Sequence, residues 1–88
     1  GIGFGKTLDH NLELLRHLNR IVELGFPVLL GVSRKRFIQA LDPDATTPDA
    51  RLGGSLAAAL CGVRAGVAGL RVHDVRETAQ AVKVWCAI

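Results

Sequence analysis

The stretch Pro27-Val28-Leu29-Leu30-Gly31-Val32-Ser33-Arg34-Lys35-Arg36-Phe37 decides how the rest of the chain is interpreted. The apolar, partly β-branched run after Pro27 predicts a strand over Val28–Val32 that is buried on both faces. Gly31 lets the backbone pass close to a ligand where the strand ends, and three cations follow Ser33 directly. Because ligands of α/β proteins bind at the carboxyl ends of parallel strands, the stretch predicts the floor of an anion site.

The composition of the 88 residues indicates a piece of a larger core. Hydrophobic residues make up 49% of the chain and charged residues only 22%, which is apolar for so short a sequence. The formal net charge of +3 and the pI of about 9.4 favour anionic partners. Aromatic residues, at 5%, are too few for the stacking surfaces of nucleic-acid-binding proteins, so we expect no nucleic-acid partner.

Several kinds of location and site are disfavoured by the sequence. No apolar run reaches the roughly 18 residues of a membrane span, and the first residues do not resemble a signal peptide. We therefore expect a cytoplasmic location and no membrane partner. Cys61 and Cys86 lie in apolar helical contexts and are predicted to be two buried thiols rather than a disulfide. His10 and His17 share a helical face without a third ligand, so no metal site is expected there.

Hydrophobic periodicity and helix-end signals divide the chain into helices and two short strands. The predicted order begins with a glycine-rich loop at Gly1–Gly5, a helix from Leu8 to Val22 that Gly25 ends, and the strand Val28–Val32. A short helix from Lys35 to Leu41 follows, and then a helix that begins at Thr47-Pro48-Asp49 and closes at Ala65-Gly66. The chain ends with a strand Val67–His73 and a helix capped by Asp74 and Glu77. This alternation predicts right-handed β-α-β crossovers and a parallel sheet. The predicted fold class is therefore α/β. Because two strands do not make a stable sheet, we expect the chain to be the C-terminal part of a barrel or open sheet whose N-terminal strands are absent.

The helix that follows Pro48 is rich in small residues, including Gly53 and Gly54 in its interior. Each interior glycine costs about 1 kcal/mol relative to alanine, so we expect another backbone to approach closely there, at a helix–helix or subunit contact. In the last helix, the predicted buried stripe consists of Val75, Thr78, Ala79, Val82, Trp85 and Cys86.

The positive side chains near the strand ends are predicted to meet at one mouth. The period of two in the second strand places Arg71 and His73 on one face, and Lys35 follows the neighbouring strand. The loop Gly1–Gly5 would open at the same edge, so we expect Lys6, Ser33, Lys35, Arg71 and His73 to share one face. Three alternatives stay open: a salt bridge of Arg71 to a structural acid, a capping or supporting role for His73, and a solvated helix start at Arg34 and Arg36.

Three blocks of the sequence, Gly1–Leu12, Gly31–Ile38 and Arg71–Thr78, closely resemble the dihydropteroate synthases in order and spacing. The resemblance covers essentially the whole chain, which would correspond to the last third of such an enzyme. It implies a (β/α)8 TIM barrel in which residues 1–88 form the C-terminal part of a single pterin-binding domain. It also implies the family's reaction in folate biosynthesis, in which the 6-hydroxymethyl-7,8-dihydropterin group moves from its pyrophosphate ester to p-aminobenzoate and pyrophosphate is released.

The resemblance further implies a cofactor, partners and site residues. Mg²⁺ would be the cofactor, with its ligands in the N-terminal part, outside this sequence. The enzyme would be a homodimer through its C-terminal helices and a target of sulfonamides. Catalytic roles fall on Lys35, which would hydrogen-bond the pterin, and on Arg71, which would stack beside the pterin and hold phosphate. The implied substrate-binding residues are Phe4 beside the p-aminobenzoate site, Gly31 and Ser33 at the strand end, Lys35, Arg71, His73 of the anion pocket, and Arg36 where many members have a serine.

Other functions remain open from the sequence. One is an inactive truncated fragment, and for the isolated 88-residue chain we expect no activity because most of a barrel lies outside it. A second is a pterin-binding methyltransferase domain, which shares the barrel but fits the blocks around Lys35 and Arg71 less well. A third is a small anion- or nucleic-acid-binding module driven by the net charge of +3.

Overall fold

A computed structural model describes residues 8–25, 27–31 and 33–88, so Phe4, with the rest of the glycine-rich loop, and Val32 lie outside the described residues. The described chain contains helices α1 (Leu8–Arg16), α2 (Leu18–Val22), α3 (Phe37–Leu41), α4 (Leu52–Ala65) and α5 (Val75–Ala87), with strands β1 (Leu29–Leu30) and β2 (Gly69–Leu70). A 3₁₀ turn at Pro48–Arg51 leads into α4. The predicted alternation of helices and short strands is confirmed.

The two strands pair in parallel, as the alternation predicts. Leu30 lies opposite Leu70, and the backbone bond from Arg71 N to Leu30 O (2.9 Å) extends the pairing one residue past β2. Both strands are shorter than the predicted Val28–Val32 and Val67–His73, because each has only one partner strand among the described residues. Arg71 therefore follows β2 directly instead of lying inside it.

The prediction that β1 is buried on both faces is wrong. Leu30 is buried and packs towards Gly62 of α4, whereas Leu29 is 69% exposed. The difference arises because α4 covers one face of the strand, while the other face opens onto a cleft that no described helix covers.

The core forms around α4, which packs against α1, α2 and α5. A methyl group placed on Gly54 would lie 2.6 Å from Cγ2 of Ile38, and one placed on Gly62 would lie 2.5 Å from Cδ2 of Leu30. These glycines thus admit side chains of the same chain, not another backbone as predicted. Gly53, by contrast, faces open space. The buried apolar residues of the core are Leu18, Leu30, Phe37, Ile38, Ala45, Ala58 and Ala59.

The predicted single helix from Leu8 to Val22 is divided in two at His17. The dihedral angles of His17 (φ −108°, ψ 17°) leave the helical range, and the next bond, from Arg20 N to His17 O, spans three residues. The His17 imidazole meets Glu13 on the preceding turn, with Nε2 and Oε1 2.7 Å apart. This contact gives His17 a structural partner one turn away.

The predicted stripe of α5 is only partly buried. Thr78 is buried and Val82 is half-buried, as predicted, but Val75, Ala79, Trp85 and Cys86 are exposed, and Gln80, Ala81 and Val84 line an open groove beside the leucines of α4. The prediction of two buried thiols is therefore wrong for Cys86, whereas Cys61 is half-buried, with Sγ 3.6 Å from Leu15 O. Both thiols are free.

The end signals of α4 have a mixed outcome. Gly66 ends the helix in the left-handed conformation (φ 88°), as predicted, since glycine adopts it without steric cost. Thr47 caps neither the 3₁₀ turn nor α4 with its hydroxyl.

Among the described residues, no helix combines the length and the apolar character needed to cross a membrane.

Candidate active site

A cleft of about 440 Å³ opens at the carboxyl ends of the two parallel strands. Its lining consists of Leu29, Gly31, Lys35, Arg71 and His73. The predicted meeting of Lys35, Arg71 and His73 at one mouth is therefore confirmed as geometry, whereas Lys6 lies outside the described residues. Their binding and catalytic roles stay predictions.

The cleft is lined by two basic side chains, Lys35 and Arg71, and by no acid among the described residues. Within residues 8–25, 27–31 and 33–88, no carboxylate forms an ion pair with Lys35 or Arg71. A salt bridge of Arg71 to a structural acid is thus not found in that part of the chain. Two cations that face solvent in a concave site can bind an external anion, such as a phosphate group.

His73 is held at the cleft by Ser33, which is buried. The Ser33 hydroxyl accepts a bond from the His73 backbone N–H at 3.1 Å and lies 3.1 Å from Nδ1 of the ring. A hydroxyl can donate to a bare Nδ1 or accept from an Nδ1–H, so the contact forms with either tautomer of the ring. Ser33 is therefore placed to support His73, and it is not part of the cleft lining.

Arg34 is not the solvated residue that the sequence suggests. Its guanidinium donates two bonds to the Asp74 carboxylate, Nη2 to Oδ1 at 2.8 Å and Nε to Oδ2 at 3.1 Å. Nη1 also lies 3.3 Å from Oδ1 of Asp49. The hydrogen bonds to Asp74 and the charge of the two acids raise the pKa of Arg34 above its usual range.

Asp74 occupies the N-cap position of α5, as predicted, but its side chain does not form the predicted cap bond. The side chain of Asp74 makes no bond to the first turn of α5, because both carboxylate oxygens are engaged by Arg34. A bidentate, charge-assisted pair is stronger than a cap bond to a neutral amide. The same hydrogen bonds from Arg34 hold the pKa of the Asp74 carboxyl below its usual range.

Arg51 is a buried cation that holds the turn containing Arg34 from the side of α4. Its guanidinium donates to the backbone oxygens of Ala45 (2.9 Å), Thr46 (3.3 Å) and Arg34 (3.2 Å), and to Oε1 of Gln39 (3.0 Å). These neutral acceptors replace the water that a buried guanidinium loses. Arg51 thus ties the loop after α3 to the turn after β1.

The remaining predicted site residues fall outside this constellation. Arg36 is exposed at the start of α3 and is not among the residues that line the cleft. Phe4 lies outside the described residues. In the described part of the chain, no three His, Cys, Asp or Glu side chains cluster in a way that could hold a metal ion.

Sequence reasoning missed the supporting residues Arg34, Asp49, Arg51, Ser55 and Asp74. Arg34 and Asp74 are 40 positions apart, so no local pattern pairs them. The one available signal was position: each is adjacent to a predicted cleft residue, Arg34 to Lys35 and Asp74 to His73.

Comparison with known proteins gives consistent matches. Residues 1–73 match the family described as pterin binding enzyme. The dihydropteroate synthase of Neisseria meningitidis serogroup B is 52% identical over the whole chain, and that of Escherichia coli is 45% identical over 96% of it. The chain covers 31% and 29% of these two proteins.

The same name appears among solved structures. Dihydropteroate synthase from Thermus thermophilus superposes with a TM-score of 0.93 at 55% identity, with all of this chain matched to 35% of that one. The enzyme from Xanthomonas albilineans in complex with 7,8-dihydropteroate gives a TM-score of 0.93 at 49% identity, with 99% of this chain matched to 33% of that one. The present chain therefore spans about a third of the length of these relatives and shares the fold of the corresponding part of their barrels.

Proposed function

Because the chain belongs to the pterin binding enzyme family, we propose that it forms part of a dihydropteroate synthase. In this proposal residues 1–88 belong to one pterin-binding barrel domain and supply part of its substrate site. The observation that carries the proposal is the cleft in which Lys35, Arg71 and His73 meet without an acidic partner among the described residues. The isolated chain stays, in our prediction, without activity.

The proposed reaction explains why cations dominate the site. The amino nitrogen of p-aminobenzoate bonds to the exocyclic methylene carbon of the pterin, the carbon–oxygen bond to pyrophosphate breaks, and pyrophosphate leaves with the electron pair. The nitrogen then loses a proton to water. The leaving group gains negative charge as the bond breaks, so preorganised cations at Lys35 and Arg71 lower the barrier. His73 would donate a further hydrogen bond to the departing oxygens.

Relatives supply the substrate assignment. The Thermus thermophilus enzyme has been solved in complex with 6HMPPP and, separately, with 4-aminobenzoate. We assign to the present cleft the phosphate-bearing end of the pterin substrate, because its polar lining residues are the basic side chains Lys35, Arg71 and His73. Gly31 would let the backbone approach the substrate at the end of β1.

Magnesium, location and drug sensitivity extend this proposal. Mg²⁺ would bind through residues outside the described part of the chain, since the described acids and histidines do not form a suitable cluster. A cytoplasmic location and inhibition by sulfonamides stay predictions from the family resemblance.

A homodimer through the C-terminal helices is also part of the proposal. An apolar groove of about 550 Å³ runs between α4 and α5 and includes Leu56, Leu60, Val84 and Trp85. Exposed apolar patches of this kind are typical of protein–protein contacts. Light scattering of the complete protein should give twice the monomer mass, and Trp85→Glu should reduce it to the monomer mass.

The test uses the complete protein that carries this sequence or, equivalently, a chimera in which the chain replaces the matching 35% of the Thermus thermophilus enzyme. We call either one the complete barrel. With dihydropterin pyrophosphate and p-aminobenzoate, it should form dihydropteroate and release one pyrophosphate per turnover. A folded barrel that consumes neither substrate would contradict the proposal, and methyl transfer to or from a pterin would favour the methyltransferase alternative.

A further inference from the structure

Arg34 has an unusual backbone for its residue type. Its φ of +56° lies in the left-handed region, where a side chain with a Cβ is disfavoured. Among the described residues, the other positive φ values belong to Gly25 and Gly66. Non-glycine residues persist in this conformation where surrounding contacts enforce it, which occurs frequently at functional sites.

The contacts that enforce this conformation come from both directions. The Arg34 N–H donates to the Ser55 hydroxyl at 2.7 Å, and the Arg34 carbonyl oxygen accepts from Nη1 of Arg51 at 3.2 Å. The Ser55 hydroxyl in turn donates to the Arg51 backbone oxygen at 2.9 Å. The backbone of Arg34 is therefore fixed to the start of α4 on both sides of its α-carbon.

The side chain of Arg34 connects this turn to the loop after β2. The bidentate pair with Asp74 spans 40 positions of sequence, and both side chains are partly buried, at 28% and 20% exposed. The immediate neighbours of the two paired residues, Lys35 and His73, both line the cleft. One ion pair thus lies directly behind two of the groups that face the proposed substrate.

We propose that Arg34 is a positioning residue which, through its pair with Asp74, sets the spacing between Lys35 on one loop and Arg71 and His73 on the other. This inference rests on the proposed function for the identity of the ligand. Arg34 does not touch the substrate in this account. It acts by keeping two separately encoded loops at one distance, so that their cations bind the same phosphate group.

The decisive variant is Asp74→Asn, because positioning and simple electrostatics predict opposite results for it. Loss of the Asp74 charge makes the site more positive, so electrostatics alone would strengthen anion binding. Loss of the bidentate pair releases the loop, so positioning predicts weaker binding, by about 3–10-fold. The measurement is the Kd of the complete barrel for inorganic pyrophosphate, by titration calorimetry well below the melting temperature.

Two further variants test the Arg34 side of the pair. Arg34→Gly keeps the left-handed turn without strain but removes the guanidinium, and Arg34→Lys keeps the charge without the bidentate geometry. We expect both to weaken pyrophosphate binding as Asp74→Asn does. The double variant Arg34→Gly with Asp74→Asn should bind pyrophosphate no more weakly than the weaker-binding single variant, since both substitutions remove the same interaction. If Arg34→Gly does not fold, Arg34→Lys and Asp74→Asn test the same pair.

Arg76→Gln is the matched control, because Arg76 is an exposed arginine two positions after Asp74. It removes one positive charge near the site without touching the pair, and we expect less than a twofold change. The inference is overturned if Asp74→Asn binds pyrophosphate as tightly as the parent, or if the losses in the double variant multiply. Lys35→Ala and Arg71→Ala separate the two proposals. If these two variants retain full affinity for pyrophosphate, the proposed site is wrong. If they lose affinity while Asp74→Asn binds pyrophosphate as tightly as the parent, only the positioning role is rejected.

Discussion

The Ser33 hydroxyl lies 3.1 Å from both the backbone nitrogen and the ring Nδ1 of His73, across 40 positions of sequence. This contact joins the loop after β1 to the loop after β2 beside the strand ends. Together with the pair of Arg34 and Asp74, it makes the two loops one structural unit. Of the three charged or ionisable side chains that line the cleft, only His73 takes part in these supporting contacts, and Lys35 and Arg71 do not.

The first prediction concerns this contact. Ser33→Ala should lower the free energy of unfolding by about 1 kcal/mol, because the His73 N–H loses its acceptor at a partly buried position. Thr47→Ala is the control, since its exposed hydroxyl makes no cap bond and its loss should cost less than about 0.5 kcal/mol. Urea denaturation of the two variants measures the difference, and equal losses would contradict the prediction.

The second prediction concerns the cations of the cleft. In the complete barrel, Lys35→Ala and Arg71→Ala should each lower kcat/KM on the order of 10²-fold, because each removes charge stabilisation of the departing pyrophosphate. His10→Ala, on the exposed side of α1, should have little effect. Steady-state rates with both substrates provide the measurement. Near-parent rates in both cleft variants would remove the assigned roles.

The third prediction separates two adjacent glycines of α4. Gly54→Ala should destabilise the fold by about 1–3 kcal/mol, because its new methyl group meets the stiff, buried Ile38 at 2.6 Å. Gly53→Ala adds the same methyl group in open space and should stabilise the helix by up to about 1 kcal/mol. Denaturation midpoints should therefore move in opposite directions, and a shift of the same sign in both would show that the packing argument is wrong.

The fourth prediction is a pH dependence that follows from the lowered pKa of Asp74. A carboxyl whose pKa is lower in the folded state stabilises the fold fully above its unfolded pKa, about 4, and loses that contribution as pH falls through the folded pKa. Asp74→Asn should thus be less stable than the parent near neutral pH, and the gap should close in acid. Because the pair is partly exposed, added salt should also narrow the gap. A gap that is constant down to about pH 2 would contradict this account.

The sequence was sufficient to predict the alternation of helices and strands, their parallel pairing and the glycine stop at Gly66. These features follow from local signals: apolar periodicity, backbone conformational preference and the right-handed crossover. The same reasoning predicted that Lys35, Arg71 and His73 meet, because residues at the carboxyl ends of neighbouring parallel strands share one edge.

The exposed face of β1, the division of the first helix at His17 and the exposure of most of the α5 stripe were not predictable in this way. Each depends on which neighbour covers which side of the element. Val75 and Cys86 have the spacing of a buried stripe, yet the orientation of α5 against α4 leaves them exposed. Apolar periodicity identifies an amphipathic helix but does not specify the partner that covers its face.

The sequence by itself determined the kind of protein and the residue types that carry the proposed chemistry, since both are encoded in short contiguous blocks. Only the tertiary structure decided which charges are free to meet a ligand and which are used to build the site. Arg34 and Lys35 are adjacent cations in one motif, yet Arg34 turns to Asp74 and Lys35 to the cleft. The physical reason is that a charge acquires its role from the partner within a few ångströms, and that partner lies 40 positions away along the chain.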